Sequence, residues 1–219
     1  VSPTPRPRHG TLAAVAAAIL LVVLGWAPPA SADHTLPPGI PSTSAAQSQL
    51  DSLTVAPKGA QSGYDRSLFP HWVDVQGDCS ARQVVLLRDG HDVVTDTDCQ
   101  PTSGRWWSAF DDTWVYEDPS RISVDHMVPL SEAWKTGARH WSTSERRAFA
   151  NDVDSSQLWL ATPSSNSDKG DDDPSAWMPP NTAVHCDYAK SWITVKYRYD
   201  LTVTSAERSA LQNTIDTRC

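Results

Sequence analysis

Four cysteines, Cys79, Cys99, Cys186 and Cys219, all lie downstream of an apolar run from Leu12 to Leu24, and no two stand at C-x-x-C spacing. Arg6, Arg8 and His9 precede the run and Ala30-Ser31-Ala32 follows it, the pattern of a secretory signal peptide over residues 1–32. The run is short of the roughly 20 apolar residues that span a bilayer. A secreted, extracellular chain with no stable membrane association after cleavage is therefore expected. In such a chain an even cysteine count favours disulfides, and the spacing disfavours zinc. Three pairings are open. The local ones, Cys79 with Cys99 and Cys186 with Cys219, are preferred because each closes a local loop, adding roughly 3 to 4 kcal/mol apiece on the chain-entropy view.

Removing the signal peptide leaves 187 of the 219 residues, enough for one substantial core. Residues 33–62 are rich in Pro, Ser, Ala, Gly and Gln and read as a flexible leader, with a short helix through Ala45 to Leu53 as an option within it. Residues 63–219 then form the single domain, opening on Tyr64, Phe69 and Trp72. Nothing in the chain indicates a protein partner, and a monomer is expected. The formal charge of the whole chain is -8, a poor prior for nucleic-acid binding. That charge is uneven: residues 33–119 carry 5 basic and 13 acidic side chains, whereas residues 120–170 carry 6 of each. A divalent cation bound in this neutral stretch would make it locally positive.

Local patterns place the elements. Ala81 to Arg88 contains the run Val84-Val85-Leu86-Leu87, which suits a helix or a strand equally. Asp92 to Thr97 and Trp106 to Tyr116 read as strands, the second turning at Asp111-Asp112. Arg121 to His126 alternates polar and β-branched residues, a strand that delivers His126 at its end before Pro129 stops it. Ser131 to Thr136 reads as a short helix closed by Gly137. Ser142 and Glu145 form a capping box for a helix reaching about Asn151, and Gln157 to Ala161 is a further strand. Ser164 or Ser165 is expected to cap a helix carrying Asn166 and Lys169. From Asn181, the residues Val184, Tyr188, Trp192, Val195 and Tyr199 line one helical face, and Thr204 with Glu207 boxes the start of a last helix.

The chemistry concentrates at Asp125-His126. A histidine of ordinary pKa can accept a proton from water at neutral pH. An aspartate is a hard oxygen donor suited to Mg²⁺ or Mn²⁺. Asn166, forty residues on, is the best-placed protein partner for the same cation. Lys169 suits either a contact to phosphate or a solvated helix end. The run Asp171-Asp172-Asp173 reads as a solvated acidic loop. His71, His91, His140 and His185 lack metal-like spacing; His185 alone, beside Cys186, is a candidate neighbour of the site. Most of the ten tryptophans belong in the core, and an exposed one would suit stacking on a nucleic-acid base.

The order Asp125-His126-Met127-Val128-Pro129-Leu130, then Phe149-Ala150-Asn151-Asp152, then Asn166-Ser167-Asp168-Lys169-Gly170-Asp171 resembles the HNH endonuclease pattern. It is similar, more narrowly, to exported actinobacterial HNH proteins related to the C-terminal domain of GmrSD-type restriction endonucleases, loosely from Tyr64 to Cys219. The resemblance implies an α+β fold with a ββα-metal core, a β-rich N-terminal part and C-terminal helices. It implies a metal-dependent endonuclease acting on DNA, with RNA as the second candidate. His126 matches the general base, Asp125 and Asn166 the ligands of a Mg²⁺ or Mn²⁺ ion, Asn151 the asparagine that braces the connecting loop, and Lys169 a phosphate contact. A different class of function, an exported disulfide-stabilised module binding nucleic acid or cell wall through an inactive HNH site, is the alternative.

Overall fold

The computed structural model describes residues 1–4 and 34–219, so the signal-peptide reading, beyond its first four residues, falls outside the described residues. No described helix is long and apolar enough to cross a membrane. The unit from His34 to Cys219 is mixed α+β, with small sheets and seven α-helices among the described residues. Its first helix, α1 (Thr43–Ser52), is capped by the Ser42 side chain. Ala46, Leu50 and Leu53 are buried, and Gln47 exchanges amide hydrogen bonds with Gln212 at 2.9 Å in each direction. The expectation of a flexible leader is corrected at this point. Three small apolar side chains on one face suffice when their partners are already a core, and those partners lie some 150 residues later in the chain.

The N-terminal part is β-rich, as the family resemblance implies. Strands β1 (Asp74–Gln76) and β2 (Cys79–Ser80) pair antiparallel, followed by α2 (Ala81–Asp89), so the ambiguous run is a helix. Ser80 and Gln83 close a capping box at its start, which settles the choice locally. A three-stranded antiparallel sheet, β3 (Gly90–Thr95), β4 (Pro101–Ser108) and β5 (Thr113–Tyr116), follows in that order. Gly90 is required at the α2–β3 junction, because a Cβ there would sit 2.5 Å from the Leu86 carbonyl and from the Trp106 indole nitrogen. Trp106 donates to that same carbonyl at 2.9 Å. Together with Val85, Leu86, Val115 and Ile122 it fills a second, smaller core beneath this sheet.

The central piece is a two-stranded ribbon, β6 (Ser123–His126) and β7 (Leu158–Ala161), in the register Asp125 opposite Trp159 and His126 opposite Leu158. Val124, Leu158 and Leu160 face the smaller core while Trp159 and Ala161 face the larger, so the ribbon is buried on both sides. Between its strands run α3 (Leu130–Thr136), ended by Gly137, and α4 (Thr143–Ala150), opened by the Ser142/Glu145 box. After β7 comes α5 (Pro163–Lys169). Its cap is Thr162, whose hydroxyl accepts from Ser165 N, and neither Ser164 nor Ser165 serves; Pro163 occupies the first helical position, where its missing N–H costs nothing. Helices α6 (His185–Arg198) and α7 (Ser205–Arg218) close the chain and bury Tyr188, Trp192, Val195, Leu211 and Ile215. The two local disulfides, Cys79–Cys99 and Cys186–Cys219, are present, the second joining the start of α6 to the end of the chain.

One polar cluster lies inside the larger core. Lys196 and Glu207, both wholly buried, pair at 2.8 Å, and Lys196 also meets Glu132 at 3.3 Å and donates to the Thr202 carbonyl at 2.9 Å. Trp192 Nε1 donates to Glu207 at 2.6 Å, and Lys58 and Lys135 add their ammonium groups to Glu132. Glu207 thus caps α7 with one oxygen and pairs inside the core with the other. Removing one member leaves an uncompensated charge in a dry site. Lys196→Met is expected to cost about 3 to 5 kcal/mol by urea unfolding, and Lys196→Met with Glu207→Gln less than the sum of the two single changes.

Candidate active site

Asp125 and His126 are consecutive on β6 and therefore point to opposite faces of the ribbon, yet both line one cleft of about 190 Å³. Asn166, Gly170 and Asp171 form one wall of that cleft, Pro129 and Leu130 another, and Arg66 its rim. The three positions Asp125, His126 and Asn166, picked out on sequence pattern alone, are thus brought together. Asp171 joins them, whereas Asp173 does not belong to a solvated acidic loop. It is buried, and its carboxylate pairs with Lys58 at 2.7 Å.

His126 is only 4 % exposed, and its Nε2 lies 2.9 Å from the carbonyl of Ala150, the last residue of α4. That bond puts the proton on Nε2 and leaves the lone pair on Nδ1. Burial pushes the imidazole pKa down to about 3, with the Arg66, Lys169 and His71 charges acting in the same direction and the Ala150 bond against them. The ring is neutral at physiological pH and available as an acceptor. Trp72 packs its indole 5.1 Å from the His126 ring and has φ of 57°, an outlier for a bulky side chain. The loop that imposes this conformation is held by Asn151. Its Oδ1 accepts from Val73 N at 3.1 Å, and its Nδ2 donates to the carbonyls of Pro70 and Arg147 at 2.7 Å each. Asn151 therefore braces the segment that walls in His126 and sits outside the cleft itself.

Asp125 is 7 % exposed, and burial raises its pKa against the opposing pull of Lys169. Lys169 does not reach toward solvent as a phosphate contact would. It is wholly buried, with Nζ 2.8 Å from Asp125 Oδ2 and donating to the His126 carbonyl at 2.9 Å. Gly170, with φ 51°, ends α5, and the Lys169 side chain lies inward against β6. Asp125 Oδ2 is therefore ion-paired, with Lys169 as its counter-charge. The Asp125 carboxylate, the neighbouring amide of Asn166 and the exposed carboxylate of Asp171 are hard-oxygen donors lining one cleft, a donor chemistry that fits Mg²⁺ or Mn²⁺.

Two site residues escaped the sequence reading. Arg66, exposed in the 3-10 turn after Asp65, is, besides Lys169, a cation whose charge acts on both Asp125 and His126. The only available signal was that it is one of five basic residues in the acidic stretch 33–119. Trp72 had been assigned to the domain opening with no link to His126, 54 positions away. His185 is not a neighbour; its Nε2 lies 2.8 Å from the Pro179 carbonyl, and it does not line the cleft.

Residues 94–214 match the model of a family described as GmrSD restriction endonucleases, C-terminal domain. An uncharacterized secreted protein of Arthroderma benhamiae is 50% identical over 182 residues, covering 83% of this chain and 88% of that protein. No solved structure matches the chain.

The lowered His126 pKa carries a pH dependence. Below pH 6.5 the unfolded chain takes up a proton that the folded, metal-free protein refuses until about pH 3. The contribution is therefore whole above pH 6.5 and is lost as pH falls toward 3, by up to about 1.4 kcal/mol per pH unit. His126→Asn has no such group. Its deficit in unfolding free energy relative to the wild type is expected to shrink by about 1 kcal/mol per unit between about pH 6 and 4 in EDTA. A constant deficit over that range would contradict the assignment.

Proposed function

This chain belongs to the family of GmrSD restriction endonuclease C-terminal domains, and from that premise we propose that it is a metal-dependent HNH endonuclease hydrolysing DNA phosphodiesters. The protein is secreted, consistent with two disulfides and no free cysteine. The observation that carries the reading is a neutral histidine whose Nε2–H is committed to a backbone carbonyl, beside the buried Asp125 carboxylate and the Asn166 amide, in one cleft. In this reading β6, β7 and α5 are the ββα-metal core.

His126 Nδ1 takes the proton from the attacking water. Asp125 and Asn166 would hold the divalent cation, with Asp171 lining the same cleft. The cation, when bound, supplies charge to the scissile phosphate and to the departing oxygen. Arg66 at the rim draws in the phosphate and balances its charge, the part first assigned to Lys169. Lys169 is a positioning residue: its ammonium opposes the rise that burial gives the Asp125 pKa and fixes the His126 backbone. Asn151 and Trp72 hold the imidazole in place and keep bulk water from it. The acidic remainder of the surface repels polyanions, so the contact area is small and reads phosphate rather than base sequence.

The binding-module alternative has one observation in its favour, the ammonium 2.8 Å from the carboxylate that would hold the cation. Incubation of the mature protein with plasmid, single-stranded DNA and RNA in Mg²⁺ or Mn²⁺ separates the readings. Cleavage is expected with metal and none in EDTA. His126→Ala should lose about 10²-fold or more in rate. Arg66→Ala is expected to lower kcat/KM by about tenfold, with a smaller effect at high salt. Cutting that persists both in EDTA and in His126→Ala overturns the mechanism, and metal binding without cutting favours the module.

A further inference from the structure

We propose that residues 54–61 act as a strap that sets the width of the cleft, with Lys58 as a positioning residue joining its two walls; this rests on reading that cleft as the catalytic site. Lys58 Nζ lies 2.7 Å from Glu132 Oε2 and 2.7 Å from Asp173 Oδ2. Glu132 belongs to α3, which starts at the wall residue Leu130, and Asp173 closes the segment of the wall residues Gly170 and Asp171. One ammonium therefore spans from one wall to the other behind the site.

The strap is docked along its length. Ala56 N donates to the Val203 carbonyl at 2.9 Å and Val203 N to the Thr54 carbonyl at 3.0 Å, forming a parallel bridge at Val55. Gly59 N donates to the Lys135 carbonyl at 2.8 Å, and Gln61 Nε2 to Ser131 Oγ at 3.1 Å. At Gly59 a Cβ would lie 3.2 Å from that same Lys135 carbonyl, so the backbone runs close against α3.

The charges explain why the strap is needed. Oxygens of Glu132, Asp173 and Glu207 all lie within 4.8 Å of one another, three buried carboxylates at a spacing that could hold a metal ion. Lysine ammonium groups sit in that position: Lys58 against Glu132 and Asp173, Lys196 against Glu132 and Glu207, and Lys135 against Glu132. Lys196 and Lys135 arrive with the domain's own helices and do not touch Asp173. Lys58 alone among these ties Asp173 down. Without it, Asp173 is left buried beside Glu132 with no cation of its own, and the Gly170–Asp173 wall is released from α3. The strap lies outside the span of residues 94–214 that the family model matches.

Three variants of the full mature chain, Lys58→Met, Lys58→Arg and Asp173→Asn, test this by amide hydrogen exchange and by plasmid cleavage. The Gly170 and Asp172 amides, which donate to the Asn166 and Lys169 carbonyls, report the wall. In Lys58→Met they are expected to exchange about tenfold faster or more while β4 and β5 stay unchanged, with kcat reduced and KM nearly constant. Lys58→Arg should restore both readouts, and Asp173→Asn should reproduce the local loosening with α3 still clamped. An unchanged wall overturns the proposal. So does exchange that rises equally throughout the domain, the mark of a merely structural pair. If the wild type does not cut any substrate while the wall still loosens in Lys58→Met, the strap stands and the nuclease reading falls.

Discussion

The ammonium of Lys169, enclosed between the Asp125 carboxylate and the His126 carbonyl, fastens α5 to β6 and thereby decides where the site is. A lysine cannot be buried in an apolar interior without a counter-charge. The helix that carries Asn166 is therefore obliged to pack with its end against the strand that carries Asp125. The same contact compensates Asp125, whose burial would otherwise favour its neutral form. Loss of either partner would strand the other, and this reciprocity gives the cleft a fixed floor.

Around that floor, constraint passes outward through polar groups more than through apolar packing. Asn151 holds the Pro70–Val73 loop, the loop holds Trp72 in a left-handed backbone conformation, and Trp72 covers the His126 ring. Behind the cleft, three buried carboxylates are matched by three lysines drawn from the strap, α3 and α6. Such networks contribute little net stability over an apolar core of equal volume. What they add is a penalty on every arrangement that leaves one member unpaired. A shallow site that must hold donors at fixed spacing benefits from that penalty.

The local elements were legible in the sequence wherever the signal was itself local. The capping boxes at Ser142/Glu145 and Thr204/Glu207, the alternation through Val124 to His126 and the helical face from Val184 to Val195 all appear where their spacing put them. The α2 run was ambiguous by periodicity, and the Ser80/Gln83 box beside it resolves it as helix. The leader was misjudged because Ala46, Leu50 and Leu53 look too sparse to bury until α6 and α7 are beside them. Asp173 was misjudged for the same reason, since its partner Lys58 lies 115 positions upstream.

By itself the sequence determined most of the local elements, the disulfide-bearing exported character and the candidate site residues Asp125, His126 and Asn166. These depend on side-chain identity and on spacing over a few residues, which a single strand or helix makes real. Tertiary structure alone decided direction and partnership. It turned Lys169 inward to Asp125, set Asn151 on the Pro70–Val73 loop, brought Arg66 to the rim and drew Lys58 across the back of the cleft. The reason is physical: a charged or amide side chain has no fixed orientation until its desolvation is compensated, and the compensating groups come from distant parts of the chain.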